Sequence, residues 1–159
     1  MTLTIQPVDT NYISQVWPMV DGYLLDALVE GNDSPAWSDC YNIHHVQGFL
    51  TSGLWLLLVA VDEDKVIHGA ATVSFSNYPM NRIAFITLIG GRLISSKGTF
   101  DQLKMILKQR GATKVQGYGR ESIVRLWKRY GFEPRTTWWK HNYEIRSLYY
   151  VAREGIPAP

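Results

Sequence analysis

Cysteine is nearly absent: Cys40 is the only one in 159 residues, so no intrachain disulfide can form and no zinc cluster can be built on thiolates. That usage fits a reducing cytosol. Long apolar runs are missing as well. The longest, residues 54–61, is far short of the roughly 20 residues that a membrane-spanning helix needs, and it reads as a buried strand. The start, MTLTIQPVD, lacks the basic residues and apolar stretch of a secretion signal, so the expected location is the cytoplasm and no membrane partner is expected. No period of roughly 20–50 residues recurs, which argues against a solenoid. There is no G-x-S-x-G elbow to support a serine hydrolase. His44 and His45 are adjacent, so on a helix they point about 100° apart and cannot share a metal in the i, i+4 manner. No metal site is expected. The run Gly117-Tyr118-Gly119-Arg120 falls short of the G-x-G-x-x-G that a dinucleotide site requires.

What is present suits a well-packed core. The chain is 46% hydrophobic and 13% aromatic, which points to one domain over residues 1–159. Its charge is unevenly placed. Residues 1–100 carry four Lys+Arg against nine Asp+Glu, whereas residues 101–159 carry twelve against five. A basic C-terminal part can mark a face for anions or for a partner, although a solvated helix rich in Lys and Arg gives the same count. The interleaving of Arg120, Arg125, Lys128, Arg129, Arg135 and Lys140 with Trp and Tyr keeps nucleic-acid binding as a third reading.

Periodicity orders the chain. Residues 2–8 alternate and predict a first strand; Ile13, Val16, Trp17, Val20, Leu24 and Leu28 recur at helical spacing. Pro18 lies inside that helix and predicts a kink or a division into two, at a cost of about 3 kcal/mol. A loop over 31–35 and a second helix over 37–50 follow. Strands are expected over 54–62, 66–78 and 82–89, the first two joined by a DEDK turn, the second ended by Pro79 and the third by Gly90-Gly91. A polar loop over 92–98 leads to a helix with Phe100, Leu103, Ile106 and Leu107 on one face, closed by Gly111. After a short strand over 114–118, Ile123, Leu126, Trp127 and Tyr130 predict another helix, closed by Gly131. Residues 132–150 are rich in strand formers. The fold class is therefore α/β, or more strictly α+β: a mixed, mainly antiparallel sheet with helices on both faces.

That order, with the run Arg125-Leu126-Trp127-Lys128-Arg129-Tyr130-Gly131-Phe132, resembles the GNAT superfamily of N-acetyltransferases, whose helix before the penultimate strand ends in the same apolar spacing and Gly-Phe exit. The resemblance implies a GNAT-like fold and three chemical parts. Acetyl-CoA's pyrophosphate would rest on a loop [RQ]-x-x-G-x-[GA], matched here by Arg92-Leu93-Ile94-Ser95-Ser96-Lys97, with Ser95 and Lys97 where glycines usually stand. Gly90, Gly91 and Gly98 are near enough to build a different cradle, with Lys97 adding charge, while a strand end followed by a helix-capping loop is the plainer reading of the same residues. A carboxylate on the fourth strand often takes the amine's proton, but residues 82–89 contain none, which leaves His68 as a candidate base. A Tyr usually protonates the departing thiolate where Trp127 stands, and Tyr130, three residues on, is the substitute candidate.

The segments Ile86-Thr87-Leu88-Ile89-Gly90-Gly91-Arg92 and Val115-Gln116-Gly117-Tyr118-Gly119-Arg120, together with the Gly-Phe exit, also resemble small GNAT-like proteins of tailed phages, some of which resemble internal virion proteins of short-tailed phages. With the missing glycines, carboxylate and Tyr, this implies a non-catalytic, virion-associated structural protein without a cofactor. Its partners would be other phage virion proteins or copies of itself, and incorporation into the virion would follow. The alternative is an acetyl-CoA-dependent N-acetyltransferase with an atypical cofactor loop. The partner surface is expected at Arg135, Trp138, Trp139, Lys140 and Tyr143, which combine residue types enriched at interface hot spots. Alternation would place Trp138 with Lys140 on one side of the strand and Trp139 on the other.

Overall fold

The structure, a computed structural model, describes residues 2–30, 41–93, 96–119, 128–129, 132–140 and 143–152. In chain order it runs β1 (Thr4–Val8), a 3-10 turn (Thr10–Tyr12), α1 (Ile13–Glu30), α2 (Ile43–Thr51), β2 (Trp55–Val61), β3 (Ile67–Asn77), β4 (Arg82–Gly91), α3 (Lys97–Gln109), β5 (Lys114–Gly119), β6 (Phe132–Lys140) and β7 (Tyr143–Ala152). The strands form one seven-stranded sheet in the order β1-β2-β3-β4-β5-β7-β6. Only the β4/β5 pair is parallel, as a crossover through α3 requires.

The uninterrupted apolar run of β2 serves two cores. Leu56, Leu58 and Ala60 face α3, where they meet Phe100, Leu103 and Leu107. Leu57, Val59 and Val61 face the other side, against Ile13, Val20, Leu24 and Leu28 of α1 and Val46 and Leu50 of α2. A strand buried on both faces needs no polar alternation. Helices thus cover both faces, as the sequence predicts. Pro18 does not divide α1, which continues as one helix of 18 residues. The amide that proline lacks would have bonded near the helix start, and the buried stripe of Val20, Leu24 and Leu28 holds the turns that follow.

Local chemistry sets the boundaries. Asn42 caps α2 by accepting from the His44 and His45 amides, while His45 Nδ1 accepts from the Asn42 amide at 3.1 Å; α2 therefore starts later than expected, at Ile43. Residues 31–40 lie outside the described residues. The DEDK turn places Lys65 at φ 67, with its amide bonded to the Asp62 carbonyl. At the tip of the β3/β4 hairpin, Tyr78 and Asn81 exchange backbone hydrogen bonds across Pro79 and Met80. One edge of the sheet is covered: Gln102 of α3 accepts from the Ile5 amide of β1 at 2.8 Å. The other edge is β6, where Pro134, which has no amide to donate, is tolerated.

Candidate functional site at the carboxyl end of strand β4

Strand β4 changes partners along its length. Its first half is laddered on both sides, with Ile83 to Ile86 in register with Lys114 to Gly117 of β5. Beyond Ile86 the ladder to β5 stops, although β4 continues to Gly91 and stays paired with β3 as far as Gly69. On the side towards β5, the backbone groups of Thr87 to Gly91 therefore have no ladder partner among the described residues. Among the described residues this is an open peptide edge in the middle of a sheet.

The cause is one inserted residue. Val73 pairs with Ile86 and Thr72 with Leu88, so Thr87 is a bulge. The bulge reverses the strand's faces: Ala84 and Ile86 pack towards α3, Leu88 packs towards α1 and α2, and Ile89 returns to the α3 side. Thr87 is almost completely buried, and its Oγ1 donates to the Thr72 carbonyl at 3.0 Å and lies 2.6 Å from Thr72 Oγ1. Both hydroxyls are satisfied, so the bulge is pinned to β3 rather than free to slide.

Beyond the bulge, glycines allow close packing. A Cβ on Gly90 would collide with the backbone carbonyl of Tyr23 in α1, and one on Gly69 would lie 2.6 Å from the Arg92 backbone. Gly91 has φ 67, which suits glycine. The Arg92 amide then bonds the His68 carbonyl at 2.8 Å, Leu93 is buried, and the chain enters α3 at Ser96. Residues 92–98 do not form a loop throughout, because α3 already begins at Lys97. Ser96 is its cap: its side chain accepts from the Thr99 amide, and Thr99 Oγ1 accepts from the Ser96 amide. That box occupies the third amide of the helix. The first two, those of Lys97 and Gly98, have no acceptor among the described residues and stand on an exposed turn.

The structure thus gathers Gly90, Gly91, Arg92, Ser96, Lys97 and Gly98 at one place, the end of β4 and the start of α3. Arg92 and Lys97 are exposed, and neither pairs with a carboxylate among the described residues. Ser95 lies outside the described residues. His68 is placed differently: it stands on β3, so β4 separates it from the opening, and its Nε2 lies 2.8 Å from Asp62 Oδ2. That hydrogen bond is the leading cause that holds the Asp62 carboxyl below its ordinary value, helped by the amides of Val66 and Asp64. Sequence reasoning missed Asp62, although the spacing Asp62 to His68 across a tight turn puts both at one end of the hairpin. It also missed Thr72 and Thr87.

Trp127 and Tyr130 lie outside the described residues; of their expected helix only Lys128 and Arg129 are described, both helical and exposed. Arg135, Trp138, Trp139 and Lys140 lie on edge strand β6, and Tyr143 begins β7, opposite Lys140. Their side chains lie outside the described residues. The register there is interrupted at Arg135 and at Trp138. Among the described residues no group of three metal-ligating side chains occurs, and no helix is long and apolar enough to cross a membrane.

No family model matches the chain, and no curated protein matches it by sequence. Solved structures do match by fold. The chain is similar to aminoglycoside 6′-acetyltransferase type Ii with a TM-score of 0.67 and 13% identity, covering 98% of this chain and 99% of that one. It is similar to a GNAT-superfamily phosphinothricin acetyltransferase from Sinorhizobium meliloti in complex with AcCoA, with a TM-score of 0.62 and 14% identity over 98% and 90% of the two chains. A third is a chain of the NatC complex bound to Gag peptide and CoA, with a TM-score of 0.61 and 12% identity over 96% and 99%.

Proposed function

From the GNAT fold that these likenesses establish, we propose that the chain is an acyl-CoA-dependent N-acyltransferase whose thioester lies in the opening between β4 and β5. The observation that carries this reading is the release of β4 from β5 at the pinned Thr87 bulge, which leaves an edge of peptide groups without a ladder partner among the described residues, beside an exposed helix start.

The residues present fit such a cofactor. The amides of Lys97 and Gly98, the positive end of the α3 dipole, and the Arg92 and Lys97 side chains offer a pyrophosphate several donors without a helical loop of glycines. A Cβ at Gly98 would meet only Ser96 Oγ, at 3.6 Å, so the approach is open. Lys97 belongs to the first helical turn and supplies charge there. The edge of Thr87 to Gly91 offers backbone donors and acceptors to an extended amide-bearing arm, in the manner of an added strand. Once bound, an acyl-CoA supplies an activated acyl group to an amine. The chain's own part is to hold and orient, because β4 has no acid or base within the opening: Arg82 lies at its far end and Thr87 is engaged with Thr72. The amine then has to arrive neutral, so the rate should rise with pH until the acceptor itself is deprotonated.

Calorimetry with coenzyme A, paired with thiol release from acetyl-CoA over a panel of primary amines, tests the reading. Binding that weakens at least about tenfold in an Arg92→Glu/Lys97→Glu double variant is expected. Absence of binding, or binding indifferent to that reversal, would remove the proposal.

A second reading, a non-catalytic assembly protein such as a virion component, is favoured by the carboxylate-free β4 and by the place of β6 as the last strand of the sheet among the described residues. It requires coenzyme A binding without thiol release, or no binding at all. It also requires that Trp138→Ala or Trp139→Ala abolish co-assembly while the chain stays folded.

A further inference from the structure

The other end of β4 carries a cavity of about 440 Å³, within the usual range of roughly 300–1,000 Å³ for small-molecule sites. It lies five residues along β4 from the start of the opening at Thr87, about 17 Å at the usual rise per residue. Its walls are Asp9 after β1, Trp55 at the start of β2, Phe75 on β3, Arg82 at the start of β4, and Arg110 at the end of α3.

Arg82 is set in place before any ligand arrives. Its guanidinium lies 4.4 Å from the Phe75 ring centroid, Nε donates to the Arg110 carbonyl at 3.0 Å, and one terminal nitrogen donates to Asn77 Oδ1 at 2.7 Å. Those bonds use two of five N–H groups, so most of the fork remains available. Neither Arg82 nor Arg110 has a carboxylate within ion-pair distance among the described residues. The single acid of the lining, Asp9, spends Oδ1 on the Asn11 amide that it caps. The lining thus holds two arginines and one carboxylate over a floor of Leu56 and Phe75, which share the α3 face of the sheet, whereas the Trp55 ring packs on the opposite face against Tyr41 and Phe49.

We propose that this cavity is a second ligand site, separate from the acyl-CoA opening, and that it takes a small organic carboxylate with an aromatic or branched apolar body. The planar guanidinium of Arg82 matches a carboxylate and, already held by a ring and two hydrogen bonds, loses little freedom on binding. Arg110 supplies the second charge from the rim. The apolar floor covers the body of the ligand. A free phosphate would leave that floor bare, and Asp9 would oppose its second charge.

The test is a titration of the full chain with phenylacetate, monitored by calorimetry. Saturable binding with a dissociation constant tighter than about 10 mM is expected, with phenylacetamide at least about tenfold weaker because it lacks the charge. Arg110→Glu should weaken phenylacetate by about tenfold, and Arg110→Gln by a smaller factor. Arg110 is exposed, and no hydrogen bond or ion pair of its side chain is present among the described residues, so both variants should keep the wild-type melting temperature. Saturating coenzyme A should leave phenylacetate binding unchanged. The proposal is overturned by an absence of saturable binding, by equal affinity for the amide, by indifference to Arg110→Glu, by displacement with equimolar phosphate, or by competition with coenzyme A.

Discussion

The two halves of β4 are the same strand under different constraints. From Arg82 to Ile86 it is laddered to β3 on one side and β5 on the other, and its even-numbered residues Ala84 and Ile86 enter the α3 core. From Thr87 to Gly91 it is laddered to β3 alone, and its faces are exchanged. A strand released on one side would ordinarily be free to shift. Here the release is compensated on the other side by the Thr72/Thr87 hydroxyl pair and at the end by glycines pressed against α1 and Arg92. The lesson is that an open peptide edge within a sheet is kept in place by over-constraining its opposite edge.

The strongest way to break that comparison is to push α1 off the released half. Gly90→Ala places a methyl group into the Tyr23 backbone, which cannot move like a side chain, and should destabilise the fold by about 3 kcal/mol. Ile83→Val in the doubly laddered half removes one methylene from a half-buried site and should cost only about 1 kcal/mol. Urea unfolding of the two variants decides between them. Equal losses would mean that α1 does not brace the released half.

Next in size is the bulge itself. Thr87→Val removes the donor to the Thr72 carbonyl and the partner of Thr72 Oγ1, leaving buried oxygens unpaired at a cost of about 2 kcal/mol. Thr72→Val should cost less, since the carbonyl bond survives. A double-mutant cycle should return a coupling of about 1 kcal/mol, and a coupling of zero would show that the pair does not act as a unit.

This contrast explains how much was legible from the sequence. The order of elements along the chain up to β5, the hairpin at DEDK and the use of both sheet faces followed from apolar runs and turn residues. The bulge did not. In Ile86-Thr87-Leu88-Ile89 both faces are buried, so a one-residue slip leaves no polar residue on the wrong side to betray it. The close packing at Gly90 and Gly91 was readable because glycine marks close approach, whereas the start of α3 was misplaced despite Ser96 and Thr99 standing at capping-box spacing. The insertion of β7 between β5 and β6 rests on long-range pairing that no local pattern encodes. The cation pocket was invisible for the same reason: Asp9, Trp55, Phe75, Arg82 and Arg110 come from five separate stretches of chain.

A smaller effect sharpens the reading of the helix start. Ser96→Ala removes the acceptor for the Thr99 amide and should cost about 1 kcal/mol of stability. Coenzyme A affinity should stay within about threefold, because the proposed contacts are the Lys97 and Gly98 amides that Ser96 does not cap. Calorimetry on the variant that returned a much larger loss would show that the cap also shapes the cradle.

The smallest expected effect concerns the neighbour of the released end, the Asp62–His68 pair. Asp62 Oδ2 meets His68 Nε2 at 2.8 Å, and Oδ1 accepts from the amides of Asp64 and Val66 at 2.8 and 3.0 Å. These bonds, His68 foremost, hold the folded carboxyl below its ordinary value of 3.8. The sign follows from the proton count: above 3.8 the carboxylate is ionised in both states and its stabilising contribution is complete, whereas below it the unfolded chain binds the proton first. The contribution is therefore lost as pH falls through the lower, folded value. Asp62→Asn should lower the urea midpoint at neutral pH, and the gap to wild type should narrow as acid is added. The pair is only partly buried, so salt should reduce this contribution. The same variant also tests where the site ends. Coenzyme A binding should be indifferent to Asp62→Asn, since β4 stands between His68 and the opening; a loss of binding larger than the loss of stability would bring His68 into the site and move the boundary drawn at β4.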